Sequence, residues 1–390
     1  MSCDSEGAPM IEVRVHRSIQ EIPAHDWDAL DGASDVPFLG WTWLDALERT
    51  GCVGEETGWL PHHLSFWEGE DGARRMIGAA PCYLKDHSEG EFVFDWAWAS
   101  AAPRFRVRYY PKLLVAVPFT PATSHRVLVA DPAERPRLLA ALAETLRQVS
   151  EALEISSAHV LFPTAVEAEA LTAAGMAHRH GVQFQWHNAG YTSFDDFLAG
   201  FSSKRRAQLR RERREVAAQG VTVETLRGKD LTPPVVDAAF RFYVATVDKF
   251  SWGRRYLNRA FFEEVAAKVP GVEVVMARNA SGKPIAGAVN LAGKSALFGR
   301  YWGATEELPF LHFEVCYYHS IEDAIARKLA RFEPGAGGSH KVARGFVPTV
   351  THSVHHLRNA RFDRAIRNFL DEERVAIDAA VAAGESPFRH

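Results

Sequence analysis

The chain has 390 residues, of which 47% are hydrophobic and 24% charged, and its formal net charge is −4. Its length predicts two domains of about 100–200 residues or one elaborate domain, with the composition of an ordinary globular protein. The charge balance argues against general attraction to DNA or to an anionic membrane, so an anionic partner needs a local basic patch.

The first half of the chain alternates predicted strands and helices. Residues 1–10 are expected to form a disordered leader. They are polar and acidic and lack the basic and apolar regions of a signal peptide. Hydrophobic periodicity predicts strands at 11–15, 63–67, 75–84, 106–114, 127–130, 159–162 and 178–186. It predicts helices at 23–30, 38–50, 133–153 and 165–174. A turn at 69–72 joins the second and third strands, and 92–102 is apolar without a clear period.

The second half follows a similar order. Helices are predicted at 194–219, 233–249, 258–269, 311–329 and 360–383, and strands at 221–226, 272–278, 284–292, 295–302 and 331–334. This repetition predicts an α/β (α+β) protein whose domains span 11–187 and 188–359, followed by a closing helix and tail at 360–390. Two unrelated α+β halves are the alternative.

The cysteine spacing and the hydropathy pattern indicate the cellular compartment in which we expect the protein. Cys3, Cys52, Cys82 and Cys316 show neither paired nor zinc-finger spacing, which argues against a disulfide framework or structural zinc. No apolar run approaches the roughly 20 residues that span a bilayer. We therefore expect a cytoplasmic protein without a membrane span.

The segment Arg300-Tyr-Trp-Gly303-Ala-Thr305 follows a predicted strand and precedes a predicted helix. It partly resembles the loop in which GNAT acetyltransferases hold the pyrophosphate of coenzyme A with backbone N–H groups and a helix N-terminus. Arg300, Gly303 and Thr305 are therefore candidate donor-binding residues. A strand end with aromatic packing is the alternative.

A strongly basic segment covers residues 204–214, where seven of eleven residues are Lys or Arg. On a helix these charges spread nearly all round, and this density favours binding of a phosphate-rich ligand or tRNA through Lys204, Arg206 and Arg210. A solvated helix balanced by neighbouring glutamates is the alternative.

Residues 332–346 combine four glycines with Glu333, His340, Lys341 and Arg344. Glycine permits a tight loop, and the charged side chains could take a proton from an attacking amine or stabilise an oxyanion. We interpret the four as candidate catalytic residues, with a structural loop as the alternative.

Three histidines, His352, His355 and His356, resemble a metal cluster. No carboxylate or fourth ligand accompanies them at a recognised spacing, so we expect core or surface histidines and no metal. Nucleophile-elbow and Walker signatures are also missing from the sequence, which disfavours a hydrolase or a P-loop NTPase.

Several motifs lie along the chain, including Tyr110-Pro-Lys112-Leu, Val117-Pro-Phe-Thr-Pro121, Arg300-Tyr-Trp-Gly-Ala304, Leu311-His-Phe-Glu314 and His340-Lys-Val-Ala-Arg-Gly-Phe346. Together they resemble the FemAB-like predicted N-acyltransferases of the GNAT superfamily. The resemblance covers about residues 11–375. It implies tandem GNAT-like domains, each a mixed, mostly antiparallel sheet flanked by helices, and acyl transfer to an amine, such as a peptidoglycan-related precursor.

The resemblance leaves the donor open between acyl-coenzyme A and aminoacyl-tRNA, and it implies no tightly bound cofactor. It places acceptor binding at Tyr110, Lys112, Trp302, His312 and Glu314. The chain departs from the family pattern at Gly337-Gly338-Ser339, where Gln-Gly-Glu is more usual, so Glu333 becomes the better carboxylate. A non-catalytic module that binds a cell-wall precursor or another anionic ligand is the second hypothesis.

Overall fold

The computed structural model describes residues 10–69, 74–249 and 253–384. Residues 1–9 of the predicted leader and most of the predicted turn at 69–72 lie outside this range. The helices are α1 (Ala24–Asp28), α2 (Trp41–Arg49), α3 (Trp96–Ala101), α4 (Arg135–Ala152), α5 (Ala165–Ala173), α6 (Phe194–Ala199), α7 (Ser203–Ala218), α8 (Pro233–Val247), α9 (Arg259–Lys268), α10 (Leu311–Phe313), α11 (His319–Ala326) and α12 (Ala360–Ala382).

The strands build two sheets. They are β1 (Glu12–His16), β2 (Trp59–Pro61), β3 (His63–Glu68), β4 (Arg75–Ala80), β5 (Cys82–Lys85), β6 (Lys112–Val115), β7 (Leu128–Val129), β8 (Ser157–Leu161), β9 (Ala177–His187), β10 (Thr222–Arg227), β11 (Val272–Arg278), β12 (Pro284–Ala292), β13 (Ala296–Ala304), β14 (Arg331–Glu333) and β15 (Val347–Leu357). One sheet has the order β1-β3-β4-β7, and the other runs β10-β11-β12-β13-β14-β9-β15-β8-β6-β5-β2.

Within the described residues, each half of the chain contains one parallel strand pair in a largely antiparallel setting. In the first half β6 runs parallel to β8, and in the second half β13 runs parallel to β14. The mixed sheet and its flanking helices confirm the predicted fold class. The division of the chain at 187 and 188 stays a prediction.

The two halves exchange their last strands. Strand β9, from the first half, pairs antiparallel with β14 of the second half. Strand β15, from the second half, pairs antiparallel with β8 of the first half, and β9 and β15 pair with each other along most of their length. The large sheet is therefore continuous across both halves, and its centre is the β9–β15 ladder.

The helices cover both faces of the large sheet. One core contains α1 and α2 of the first half together with α8 and α9 of the second, anchored by Trp27, Trp43, Phe242 and Phe298. A second core packs α6, α7 and α11 against Trp186, Leu297 and Phe332. Because one core draws residues from both halves, burial as well as strand pairing holds them together.

The structure corrects several predicted elements. The predicted strand at 106–114 forms only over Lys112–Val115. The predicted helix at 194–219 is interrupted at Gly200, so that Ser202 caps α7 separately through its side chain. The predicted helix at 311–329 ends at Ala326 and contains a π-helical stretch over Glu314–Tyr318. Strand β15 was not predicted at all.

Cys52, Cys82 and Cys316 are free thiols. No helix in the described part of the chain is both long and apolar enough to cross a membrane.

Candidate functional site

A cavity of about 600 Å³ opens where β9, β14 and β15 meet loops of the first half, and we call it the central cavity. Its size is that of typical small-molecule sites, and several polar and charged side chains contribute to its lining. Residues of both halves line it, including Thr123, Ser124, His125, Gln185, His187, Lys294, Arg331, Glu333 and Thr349. A ligand in this cavity would contact both halves of the chain.

Glu333 is the predicted catalytic residue that lies on this cavity. It ends β14 and is 3% exposed. Arg331 Nε donates to its Oε1 at 2.9 Å, and the Thr123 backbone N–H donates to its Oε2 at 3.3 Å. Burial raises the pKa of Glu333 above its usual value, and Arg331 opposes this rise. A buried carboxylate with a raised pKa is suited to accept a proton from an amine.

The other three predicted catalytic residues lie on the opposite face of the sheet. Successive strand residues point to opposite faces. Phe332 therefore packs against Phe346, at 5.8 Å between ring centroids, while Glu333 faces Thr123. Among the described residues, no contact joins Glu333 to His340, Lys341 or Arg344. The loop 332–346 thus separates its charged side chains between two environments instead of gathering them.

His340 and Lys341 join a group of residues beside β13 that we call the aromatic–basic cluster, formed by Trp302, His312, Tyr317, His340 and Lys341. The rings of Trp302 and His312 are 4.9 Å apart, and those of His312 and His340 are 5.8 Å apart. The Tyr317 hydroxyl and Nε2 of His340 are hydrogen-bonded at 2.9 Å. Burial lowers the pKa of His312 to about 4, so its imidazole is neutral at pH 7.

Lys341 is the buried cation of this cluster. Its side chain donates from Nζ to the Gly335 carbonyl at 2.7 Å. Burial lowers its pKa to about 8. A lysine close to its titration point, beside a glycine-rich turn, can change its charge when an anion binds.

The cluster lies next to an open strand edge. Strands β13 and β14 pair only from Ala296 with Arg331 to Phe298 with Glu333. Beyond this point β13 continues to Ala304, and in the described part of the chain only β12 pairs with it there. Its unpaired backbone groups, over residues 300–304, are available to an extended ligand.

Arg344 is engaged in a buried ion pair. Its Nη2 donates to both carboxylate oxygens of Glu212 on α7, at 3.1 and 3.3 Å, and its Nη1 donates to the His340 carbonyl at 2.9 Å. The guanidinium carbon lies 3.3 Å from the ring centroid of Phe313. These contacts give Arg344 a structural role that connects the loop to α7.

The residues of the predicted pyrophosphate loop lie within or directly after β13. Gly303 pairs with Gly287, and a Cβ atom there would come within 1.8 Å of the Phe242 carbonyl oxygen. Arg300 donates a hydrogen bond to the Phe119 carbonyl of the first half, and the Thr305 backbone N–H donates to Ile285 at 2.8 Å. Helix packing and strand pairing engage all three residues, and their part in donor binding stays a prediction.

Helix α7 borders a second cavity of about 790 Å³, which we call the α7 groove. Arg210 is exposed there and pairs with Asp195 at 2.7 Å, whereas Arg213 pairs with Glu314 at 2.9 Å. Lys204 is exposed, and Arg206 donates to the Phe201 carbonyl at 3.3 Å. Burial raises the pKa of Glu314, against the influence of Arg213. The groove therefore has a mixed charge.

Tyr110 and Lys112 lie in the first half, away from the other predicted acceptor residues. Lys112 is fully buried and donates from Nζ to Glu91 and Ser88 at 2.8 and 2.9 Å. Burial would lower its pKa, but the carboxylates of Glu91 and Asp95 outweigh that effect and raise it. The Tyr110 hydroxyl shares Ser88 at 2.8 Å. This network is internal to the first half.

Sequence reasoning missed most of the central cavity. Arg331 and Gln185 alternate with buried aromatic residues on predicted strands, so their shared face was available from the pattern. His125 and Thr123 lie on a loop of the first half, and no local signal places them beside Glu333. The π-helical stretch that presents Tyr317 also lacks a local sequence signal.

The chain is similar to several solved structures, and the likeness to FemX supports this architecture. The structure of FemX superposes with a TM-score of 0.53 and 12% identity, covering 91% of this chain and 100% of that one. A tandem GNAT protein from the clavulanic acid biosynthesis pathway gives 0.47 and 12%, covering 89% and 98%. L-PGS from Bacillus licheniformis gives 0.48 and 8%, covering 83% and 95%.

No curated protein sequence matches the chain at a significant level. A family model described as peptidoglycan biosynthesis/recognition does match it, over residues 18–390. The match covers nearly all of the chain, including both exchanged strands, the central cavity and the aromatic–basic cluster. The chain therefore belongs to the FemAB-like family.

Proposed function

We propose that this protein transfers an acyl or aminoacyl group from a thioester or ester donor to an amine. The observation that carries the proposal is the buried Glu333 carboxylate on the central cavity, which accepts a hydrogen bond from the Thr123 backbone N–H of the other half of the chain. Family membership and the FemX-like fold support the same reaction class. A carboxylate held by both halves is placed to act only when they are assembled.

We assign the acceptor to the central cavity. An amine that enters it as an ammonium ion must lose a proton before it attacks. Glu333, with its raised pKa, takes this proton, and Arg331 and Thr123 hold the carboxylate in place. The amine nitrogen then attacks the carbonyl carbon of the donor, and the bond from that carbon to the thiol sulfur or ribose oxygen breaks. The attacking nitrogen gives up its second proton as the amide forms, and the leaving sulfur or oxygen receives one proton as it departs.

We assign the donor to the aromatic–basic cluster and the open edge of β13. The unpaired backbone over 300–304 can bind an extended chain, while Lys341 supplies positive charge for a phosphate group. Burial lowers the pKa of His340, so its imidazole would contribute a hydrogen bond and not a charge. The pairing of Phe298 with Glu333 is where the open edge begins, so donor and acceptor sides meet there. Either coenzyme A or the acceptor end of tRNA presents such phosphate chemistry.

The family description, peptidoglycan biosynthesis/recognition, supports the acceptor class that we propose. A peptidoglycan-related precursor whose peptide carries a free amine is the acceptor we propose. The purified protein should be incubated with this precursor and either radiolabelled acetyl-coenzyme A or a mixed, radiolabelled aminoacyl-tRNA preparation. Mass spectrometry should find the precursor heavier by one acyl or aminoacyl group with one of the two donors.

A binding module without catalysis is the competing function. It predicts saturable precursor binding with no labelled product from either donor. Mass spectrometry of small molecules that copurify with the protein provides an independent identification of the donor. Recovery of neither coenzyme A species nor tRNA, together with no product, would contradict the proposed transferase.

A further inference from the structure

Three histidines meet at the seam where the two halves exchange strands. His178 and His180 lie two residues apart on β9 and share a face, and the register places His352 of β15 opposite His180. One ring nitrogen from each residue lies within 4.8 Å of the other two. Nε2 of His178 and Nδ1 of His352 are 3.0 Å apart.

These distances suit a tetrahedral metal ion. Zinc binds imidazole nitrogen at about 2.0–2.1 Å, which places two ligand nitrogens about 3.3–3.4 Å apart at the tetrahedral angle. The His178–His352 pair is already close to this separation. The third nitrogen must approach by about an ångström, which rotation of the half-buried His180 ring can supply.

A carboxylate already orients one of the rings. Nδ1 of His180 and Oδ1 of Asp378, on α12, are 2.8 Å apart. A histidine ligand characteristically donates one ring N–H to a carboxylate and presents the other nitrogen to the metal. Arg374, the neighbouring cation on α12, donates to the His178 backbone carbonyl at 3.2 Å. This hydrogen bond does not involve the ring nitrogens of the histidines.

We propose that His178, His180 and His352 form a binding site for one divalent transition metal ion of the zinc class, with Asp378 as the orienting carboxylate. The site joins a strand from each half, so the ion ties the two halves together. It leaves a fourth coordination position for water. His355 and His356, which the spacing groups with His352, do not take part: the His355 ring pairs with His159 at 2.7 Å. The proposal departs from the expectation of no metal, which rested on spacing alone.

The test uses the full chain without an affinity tag, after treatment with a chelator and dialysis. Isothermal titration with ZnCl₂ should give one Zn²⁺ per chain, and thermal unfolding should shift upward with free Zn²⁺ because the ion binds the folded state. His352→Ala should abolish this binding. Asp378→Asn should weaken it by about 10–100-fold, as expected for loss of an orienting carboxylate. His356→Ala, on the same strand, is the matched control and should bind as the unaltered chain does.

A second measurement needs no variant. X-ray absorption of the Zn²⁺-loaded chain should reveal three imidazole ligands and one oxygen ligand, and Co²⁺ in place of Zn²⁺ should give the intense visible spectrum of a tetrahedral site. The proposal is wrong if the unaltered chain binds no more Zn²⁺ than His352→Ala. It is equally wrong if the absorption data show fewer than three imidazoles. Neither result depends on acyl transfer, so the proposed function is tested separately.

Discussion

Arg344 on the glycine-rich loop and Glu212 on α7 form a buried ion pair, with the guanidinium donating to both carboxylate oxygens. The side chains are 7% and 1% exposed. Tyr318 also donates its hydroxyl to Glu212. This pair connects the loop that carries His340 and Lys341 to the basic helix, so the loop conformation depends on a charge more than a hundred residues away.

Replacing Glu212 by Gln should destabilise the fold strongly. The substitution leaves Arg344 buried without its counter-charge, and loss of one partner of a buried pair costs about 3–5 kcal/mol. Urea unfolding should show this decrease in the free energy of unfolding. Arg210→Ala, which breaks the exposed pair with Asp195, is the control and should cost no more than about 1 kcal/mol. Equal effects of the two substitutions would contradict the structural role of Arg344.

Replacing Glu333 by Gln should abolish most of the transfer while leaving the fold intact. The amide keeps the size of the side chain but cannot accept the proton, and loss of a general base costs about 10²–10⁴ in rate. Steady-state kinetics should show the loss in kcat. Glu273→Gln offers a matched control. Glu273 lies on a distant strand, is also buried, and also forms ion pairs with arginines, namely Arg227 and Arg327. A near-normal kcat for Glu333→Gln would remove Glu333 from the mechanism.

Lys341 should give donor binding a pH dependence centred near its pKa of about 8. Below that pH the ammonium group attracts phosphate, and above it the neutral amine does not, so the Kd for the donor should rise through this range. Lys341→Arg should move this loss to much higher pH, since the guanidinium keeps its charge. Lys341→Met should bind the donor weakly at every pH. If the Kd of the unaltered chain for the donor does not change with pH, Lys341 does not bind the donor.

The burial of Lys341 also leads us to predict how the free energy of unfolding changes with pH. Burial depresses its pKa from the ordinary 10.5 to about 8. Between these values the unfolded chain holds a proton that the folded chain has released, so the contribution of Lys341 to the free energy of unfolding should increase with pH across this interval. Urea unfolding of the unaltered chain and of Lys341→Met, compared at several pH values, isolates this contribution. A difference that does not change with pH would contradict the depressed pKa.

The α7 groove should bind polyanions in a salt-dependent manner. Arg210 and Arg214 line the groove and are exposed, and removing an arginine that binds a phosphate should reduce the slope of log K against log salt by about 0.7–0.9. Filter binding of tRNA at several KCl concentrations should show a decrease of about 1.4–1.8 for the double variant Arg210→Ala with Arg214→Ala, if each arginine binds one phosphate. Arg147→Ala removes a comparable exposed helical charge on α4 and should leave the slope unchanged. If the Arg147 variant and the double variant change the slope equally, the groove contributes to tRNA binding only through its net charge.

The sequence patterns predicted individual strands better than they predicted which strands pair with each other. Strands with a clear period, such as Val272–Arg278 and Pro284–Ala292, formed with the predicted bounds because turn residues mark their ends. Strand β15 carries Pro348 and several histidines, and its period-two pattern is weak. Its neighbours, β8 and β9, lie far away in the chain, so only the assembled sheet reveals it.

The predicted catalytic residues were expected to lie in one group, and the structure separates them; their roles stay predictions. Glu333, His340 and Lys341 lie in one short segment of sequence. Because successive strand residues point to opposite faces, Phe332 points into the core and Glu333 points into the central cavity. Period-two alternation contains this information. The position of Thr123 beside Glu333 does not follow from any local pattern, because it depends on how the first half meets the second.

The exchange of β9 and β15 has a consequence for biosynthesis. Strand β8 is synthesised well before β15, its antiparallel neighbour in the sheet, so during translation its edge stays unpaired until Val347–Leu357 has left the ribosome. Until then the nascent first half presents an open β edge, the kind of surface that chaperones protect and that promotes aggregation. Expression of residues 11–187 alone should for this reason yield a product that is aggregation-prone, and supplying the remaining chain as a separate polypeptide should rescue it.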